Sequence, residues 1–385
     1  MRLFFVLALA LGALALFLSE KNVRGQIPGG NNMAPPGSTA KPSPTPAAQA
    51  TPEPTPPDDV DDADVVRVSS TLVVVPVSVT DSTGQPVPGL TVPDFRLDEA
   101  GKTQEIAQIG NPEQVPLDIA LLIDVSSSVS KKFDFELQAA TRFLKEVMKT
   151  GDRAAIFAIE MEPRLAQPLG SAETASAALL TLKAPTTAVP TPFYDAVRNA
   201  AHYLAENTPA NHHRVVVVVS DGEDNFSRDI KDTEIAVYQN QTGTANNSTQ
   251  DRQARSAQLE KQRQTLHTRA QNEVLGEVQK ADVTFYSINP TGSAVWLNGP
   301  GVRAQKGMEL VSEGTGGTAF LPNKVEDLDQ VFRQIIAELR AQYLVQYYSS
   351  DETSPNGSFL PIKVHVPQRP ELKVRARSGY YVKRK

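Results

Sequence analysis

The chain has 385 residues, enough for more than one core, with 44 acidic against 38 basic residues and a net charge of −6. No stripe of Lys or Arg marks a nucleic-acid surface. The complete absence of cysteine excludes disulfides, thiolate metal sites and Cys nucleophiles. The five histidines, His202, His212, His213, His267 and His365, show no metal-ligand spacing, and the adjacent pair His212 and His213 reads as a loop ahead of "RVVVVVS".

Arg2 is followed by an apolar run, Leu3 to Leu18, interrupted only by Gly12. Residues 1–19 therefore read as a secretory signal peptide, or as a signal anchor retained in a membrane through residues 3–18, because no small-x-small cleavage site follows. The expected location is outside the cytoplasm: periplasm, cell surface or secreted. Residues 20–64 hold ten of the 29 prolines between Ile27 and Pro57, a composition that cannot bury a core. In a polyproline-like state, at about 3.1 Å per residue, this spacer extends roughly 100 Å. Its acidic end, "DDVDDAD", lacks the Gly turn and closing Glu of a calcium loop.

From Val65 to about residue 112 the chain is rich in β-branched residues, with turn signals at "DSTGQ" and "DEAGK", and three or four strands are expected. Val73, Val75, Val77 and Val79 share one face, and Pro76 on the other predicts an edge strand. Residues 341–385 have the same character: "YLVQYY", "FLPIKVHV" and "LKVRARSGYYV" read as three strands. Each terminal segment is too short to fold alone, so the two are expected to pair into one small all-β domain.

Residues 115–340 alternate strand and helix. "LDIALLID", "RAAIFAI", "RVVVVVS" and "DVTFYSI" are continuous apolar runs of the buried parallel type. Between and after them, Phe133, Leu137, Ala140, Leu144 and Val147 form a helical stripe, and "SAETASAALLTLK", "PFYDAVRNAAHYLAEN" and "VEDLDQVFRQIIAELR" read as helices. This is an α/β sheet covered on both faces, a class in which ligands bind beyond the carboxyl ends of the strands. A polar insertion, about 226–275, breaks the rhythm. A mobile loop is expected first and a solvated helix from Asp251 to Lys280 second, as a lid, a partner contact or a tolerated surface insertion.

Three loops converge at the carboxyl edge. "DVSSSVS" offers Asp124, Ser126 and Ser128, "TTAVPTPFYDAV" offers Thr191, and "SDGED" offers Asp221; Tyr194, Glu223 and Asp224 lie at the rim, and Asp195 faces solvent or caps a neighbouring loop. Singly these are ordinary turn and capping residues. Together and in order they resemble the von Willebrand factor type A domain, with the flanking β-segments and the ending "RARSGYY" similar to bacterial VWFA-related proteins. The resemblance implies a doubly wound, Rossmann-like, mostly parallel sheet. It also implies a metal-ion-dependent adhesion site in which Asp124, Ser126, Ser128, Thr191 and Asp221 hold Mg²⁺ or Mn²⁺, and a partner protein supplies an Asp or Glu carboxylate to the remaining position. Oxygen ligands suit such a hard cation. No G-x-S-x-G elbow, P-loop or H-E-x-x-H occurs, and Glu223 is the one obvious base for a metal-bound water. A non-enzymatic binding protein is the expectation. The alternatives are a structural surface protein whose metal stabilises the fold and, behind it, a metal-assisted hydrolase.

Overall fold

A computed structural model describes residues 72–125, 131–184, 189–242, 249–292 and 299–383. The signal and spacer expectations (1–64) lie outside the described residues, as do Ser126 and Ser128. Alternate valines make the first strand, β1 (Leu72–Thr80), with Val73, Val75, Val77 and Val79 all buried. β2 (Arg96–Glu99), β3 (Lys102–Gln104) and β4 (Ile106–Gly110) follow.

The α/β unit then runs β5 (Leu117–Asp124), α1 (Lys131–Val147), β6 (Arg153–Ile159), β7 (Arg164–Gly170), α2 (Ala172–Leu179) and α3 (Phe193–Asn207). It continues with β8 (His213–Val219), α4 (Lys231–Thr242), α5 (Thr249–Lys280), β9 (Val283–Ile288), α6 (Gly299–Thr315), β10 (Ala319–Phe320) and α7 (Leu328–Ala341). β11 (Tyr343–Tyr348), β12 (Phe359–His365), β13 (Lys373–Ala376) and β14 (Gly379–Tyr381) end the chain.

The central sheet has the order β10-β9-β8-β5-β6-β7, parallel except for β7 against β6. β5 is buried at every residue. Its Ile119, Leu121 and Ile123 pack with α1, α2 and α7 on one face, and its Ala120 and Leu122 with α3, α5 and α6 on the other. The chain leaves β5 for β6 on one side and places β8, β9 and β10 on the other, so the strand order switches between β5 and β8, the place beyond which open α/β sheets bind ligands. At the opposite edge, the buried Arg214 of β8 donates to Thr208 O and Ala281 O, both at 3.0 Å. It thereby caps the negative ends of α3 and α5.

The terminal strands form two antiparallel sheets, β13-β1-β11-β4 and β14-β12-β2-β3. Their valines, Leu97, Ile362, Val364 and Tyr347 share one core.

Several expectations are corrected. β1 is an interior strand, between β11 and β13; Pro76 is tolerated because pairing with β13 starts only at Val77. "LKVRARSGYYV" is broken after Ala376 into β13 and β14, which join different sheets. His213 opens β8 rather than lying in a loop. The expected mobile loop is helical over α4. The solvated helix is solvated only in part, since Ala270, Val274 and Val278 recur every fourth residue and bury against α3. Neither β7 nor α6 is foreseen in the sequence pattern. In α6, Gly307 permits a close approach to α5, because a Cβ there would lie 2.5 Å from the Gln271 amide nitrogen.

Candidate metal centre

Each proposed ligand that falls among the described residues stands at the carboxyl edge of the sheet. Asp124 is the last residue of β5 and is 5% exposed. Ser220, directly after β8, donates through Oγ to Asp124 Oδ2 at 2.6 Å and accepts the Gly222 N–H at 2.9 Å. The loop that carries Asp221 is thus fastened to the end of β5. Gly222, at φ 74°, makes the turn that L side chains resist.

Asp221 Oδ1 accepts the Glu223 N–H at 2.9 Å. Burial pushes its carboxyl up to about 6; that hydrogen bond opposes the shift, and the charges of Asp124 and Glu223 add to it. Thr191 is 7% exposed, and its main chain is held from both sides by Asn225. Its N–H donates to Asn225 Oδ1 at 2.8 Å, and its carbonyl accepts the Asn225 N–H at 3.1 Å.

The three rim residues divide. Glu223 is half-buried. Tyr194 and Asp224 are 3% and 6% exposed and act inside the protein rather than at its surface. Asp224 Oδ2 accepts from Tyr194 N at 2.6 Å and Ser227 Oγ at 2.5 Å, while Oδ1 accepts from Phe226 N at 3.1 Å and Ser227 N at 2.9 Å. Burial, against these bonds, pushes its carboxyl up to about 6. Asp195 does cap a neighbouring loop, accepting the Arg228 N–H at 2.9 Å.

The donor set fits a hard cation. The two candidate carboxylates sit close enough for Asp124 to oppose ionisation of Asp221, a repulsion that a cation between them reverses. No cluster of three His, Asp or Glu side chains able to hold a metal occurs among the described residues. Sequence reasoning missed Ser220, Asn225 and Ser227, ordinary polar residues whose signal is only their closeness to "SDGED".

Residues 119–223, from β5 to that loop, match the family profile of the von Willebrand factor type A domain. Among solved structures, the chain is similar to proximal thread matrix protein 1 from the mussel byssus, with 13% identity and a TM-score of 0.39 over 62% of this chain and 49% of that one. A further structure of that mussel protein has a zinc-occupied MIDAS motif. A von Willebrand factor type A protein from Catenulispora acidiphila aligns with 13% identity and a TM-score of 0.39 over 71% of this chain and 51% of that one. The PilB minor pilin from Streptococcus sanguinis aligns with 11% identity and a TM-score of 0.39, covering 59% and 62%. The chain thus spans about half the length of the mussel and Catenulispora proteins. No curated protein matches it.

Proposed function

Because this chain carries a von Willebrand factor type A domain within residues 119–223, we propose that it is an exported binding protein that captures a partner's Asp or Glu carboxylate through a divalent cation. What supports the reading is that Asp124 ends β5, that Ser220 fastens the Asp221 loop to it, and that Asn225 of the same loop holds Thr191, while the charge of Asp124 helps to raise the Asp221 carboxyl. Mg²⁺ or Mn²⁺ bound there supplies a Lewis-acidic position for an added carboxylate. The protein's part is to hold the ligands. Ser220 orients Asp124, Asn225 clamps Thr191, and the Glu223 N–H orients Asp221. Two aspartates balance a divalent charge without exceeding it, which leaves the ion attractive to an incoming anion. Ser126 and Ser128 complete the proposed ligand set, and Glu223 is the proposed rim contact.

The domain bounds are proposed as 65–112 and 341–385 for the β-domain and 115–340 for the metal-binding unit. Export rests on residues 1–19 and is checked by fractionating tagged protein. No helix among the described residues is long and apolar enough to cross a membrane.

Calorimetric titration of Mn²⁺ into wild type and Asp124→Ala tests the centre. Wild type is expected to bind, and the variant to lose affinity by a factor of about 100 while remaining folded, because removing one of two repelling acids relieves the metal-free state. Equal binding by the two proteins means that the serines and aspartates of this edge are turn residues only.

A further inference from the structure

The inserted α4–α5 pair is fastened to the helix that follows Thr191. Tyr194 lies in the first turn of α3. Its buried phenol oxygen is 2.9 Å from His267 Nδ1 and accepts from Gln271 Nε2 at 3.1 Å, both on α5. His267 Nε2 is 2.8 Å from Glu234 Oε1 on α4, and Arg263 Nε donates to the same oxygen at 2.6 Å. The partners allow one consistent proton arrangement for a neutral imidazole: Nε2–H donates to the Glu234 carboxylate, and Nδ1 accepts from the tyrosine O–H. Burial opposes ionisation of Glu234, yet the His267 and Arg263 hydrogen bonds hold its carboxyl below the usual range. A second fastening lies one turn along α3. Arg198, 2% exposed, contacts Asp229 at 2.7 Å just ahead of α4 and Glu277 at 3.5 Å on α5.

We propose that Tyr194 and His267 are positioning residues for the metal centre: through them the α4–α5 insertion sets where α3, and with it the Thr191 hydroxyl, stands relative to Asp124 and Asp221. The inference rests on the metal-binding reading above. Asn225 and Asp224 tie the main chain of this segment to the Asp221 loop, but both ties lie at the very start of α3. From there the Tyr194 phenol, and Arg198 one turn further along, reach α5, so the orientation of the helix beyond its first residue draws on that contact as well as on the main-chain ties. Mg²⁺ demands oxygens at about 2.0 to 2.1 Å in near-ideal geometry. A displacement of α3 by a fraction of an ångström then weakens the Thr191 contribution without unfolding anything. A buried phenol also needs a hydrogen-bond partner merely to be stable, so the two roles must be told apart by affinity rather than stability.

Mn²⁺ affinity and urea stability are measured on the full chain for wild type, Tyr194→Phe, His267→Leu, Thr191→Ala and the double variant Thr191→Ala with Tyr194→Phe. Val345→Ala in the β-sandwich core serves as a control that loses stability far from the site. Tyr194→Phe and His267→Leu are each expected to weaken Mn²⁺ binding about 10-fold, and Val345→Ala to leave it unchanged. The double variant should bind no more weakly than Thr191→Ala alone, because a hydroxyl that is absent cannot be misplaced. Tyr194→Phe keeps the ring, so it reads the effect even where His267→Leu does not fold. Unchanged affinity in Tyr194→Phe, or effects of Thr191→Ala and Tyr194→Phe that simply multiply, overturns the positioning role alone. A wild type that takes up no Mn²⁺ overturns the metal reading and this inference together.

Discussion

Ser220 joins two strands' ends with one hydroxyl, since its Oγ both donates to Asp124 and accepts from Gly222 N–H. Replacing it by Ala should weaken metal binding about 10-fold, because Asp124 loses the bond that orients it; calorimetry with Mn²⁺ reads this directly. His213, at the other end of the same strand, bonds Thr284 Oγ1 at 3.0 Å. Burial pushes its imidazole down to about 4, with Asp282 opposing and Arg377 and Arg340 reinforcing the shift. An unfolded histidine titrates near about 6.5. Between these values the unfolded chain binds a proton that the folded chain refuses, so this residue's contribution is intact above about 6.5 and declines as pH falls toward about 4. Urea midpoints at pH 7 and pH 4.5 should therefore separate more in wild type than in His213→Asn. Equal separations would remove His213 from the acid response.

At the scale of elements, the packing of α6 on α5 depends on Gly307, and Gln271 is the neighbour it spares. Gln271 cannot simply swing aside, because its amide donates to Tyr194 OH and to Arg303 O at 3.0 Å. Gly307→Val should cost about 1 to 3 kcal/mol through overpacking, seen as a lower urea midpoint. The same helix shows what sequence patterns convey and what they do not. β5, β6, β8 and β9 are legible as uninterrupted apolar runs, because strands buried on both faces need no alternation. The position of Asp124 follows from the run before it. α6 has glycines where helix formers are expected, and β7 is a part-exposed edge strand containing Pro168; each is shaped by a neighbour rather than by its own propensity. The struts around the candidate site are hidden for a related reason. Ser220 meets Asp124 across 96 residues of sequence, and Tyr194 meets His267 across 73, distances over which no periodicity carries information.

For the whole molecule, the strand order makes the β-sandwich a product of both ends of the described chain. β1 pairs with β11 and β13, and β2 pairs with β12. Removing residues 343–383 strips β1 of both neighbours, so residues 72–110 should become sensitive to limited proteolysis while the α/β unit retains its helical circular dichroism. Continued protection of β1 to β4 in that truncation would contradict this. The sandwich is also bonded to the α/β unit. Glu338 on α7 meets Arg375 at 2.8 Å, Ser378 N–H donates to Gly314 O at 3.0 Å, and Arg377 pairs with Asp282.

That order of strands also fixes a load path. The α/β unit connects to the sandwich through two covalent crossings, one from β4 into β5 and one from α7 through the single residue Gln342 into β11. Tension applied at the carboxyl edge and resisted at Leu72 is carried by both crossings in parallel, and then by β1, which is held on either side by antiparallel partners. Such a strand must be sheared from two ladders at once rather than peeled from one, so force applied between Leu72 and the candidate metal edge should meet its main resistance in the strand pairing of the sandwich.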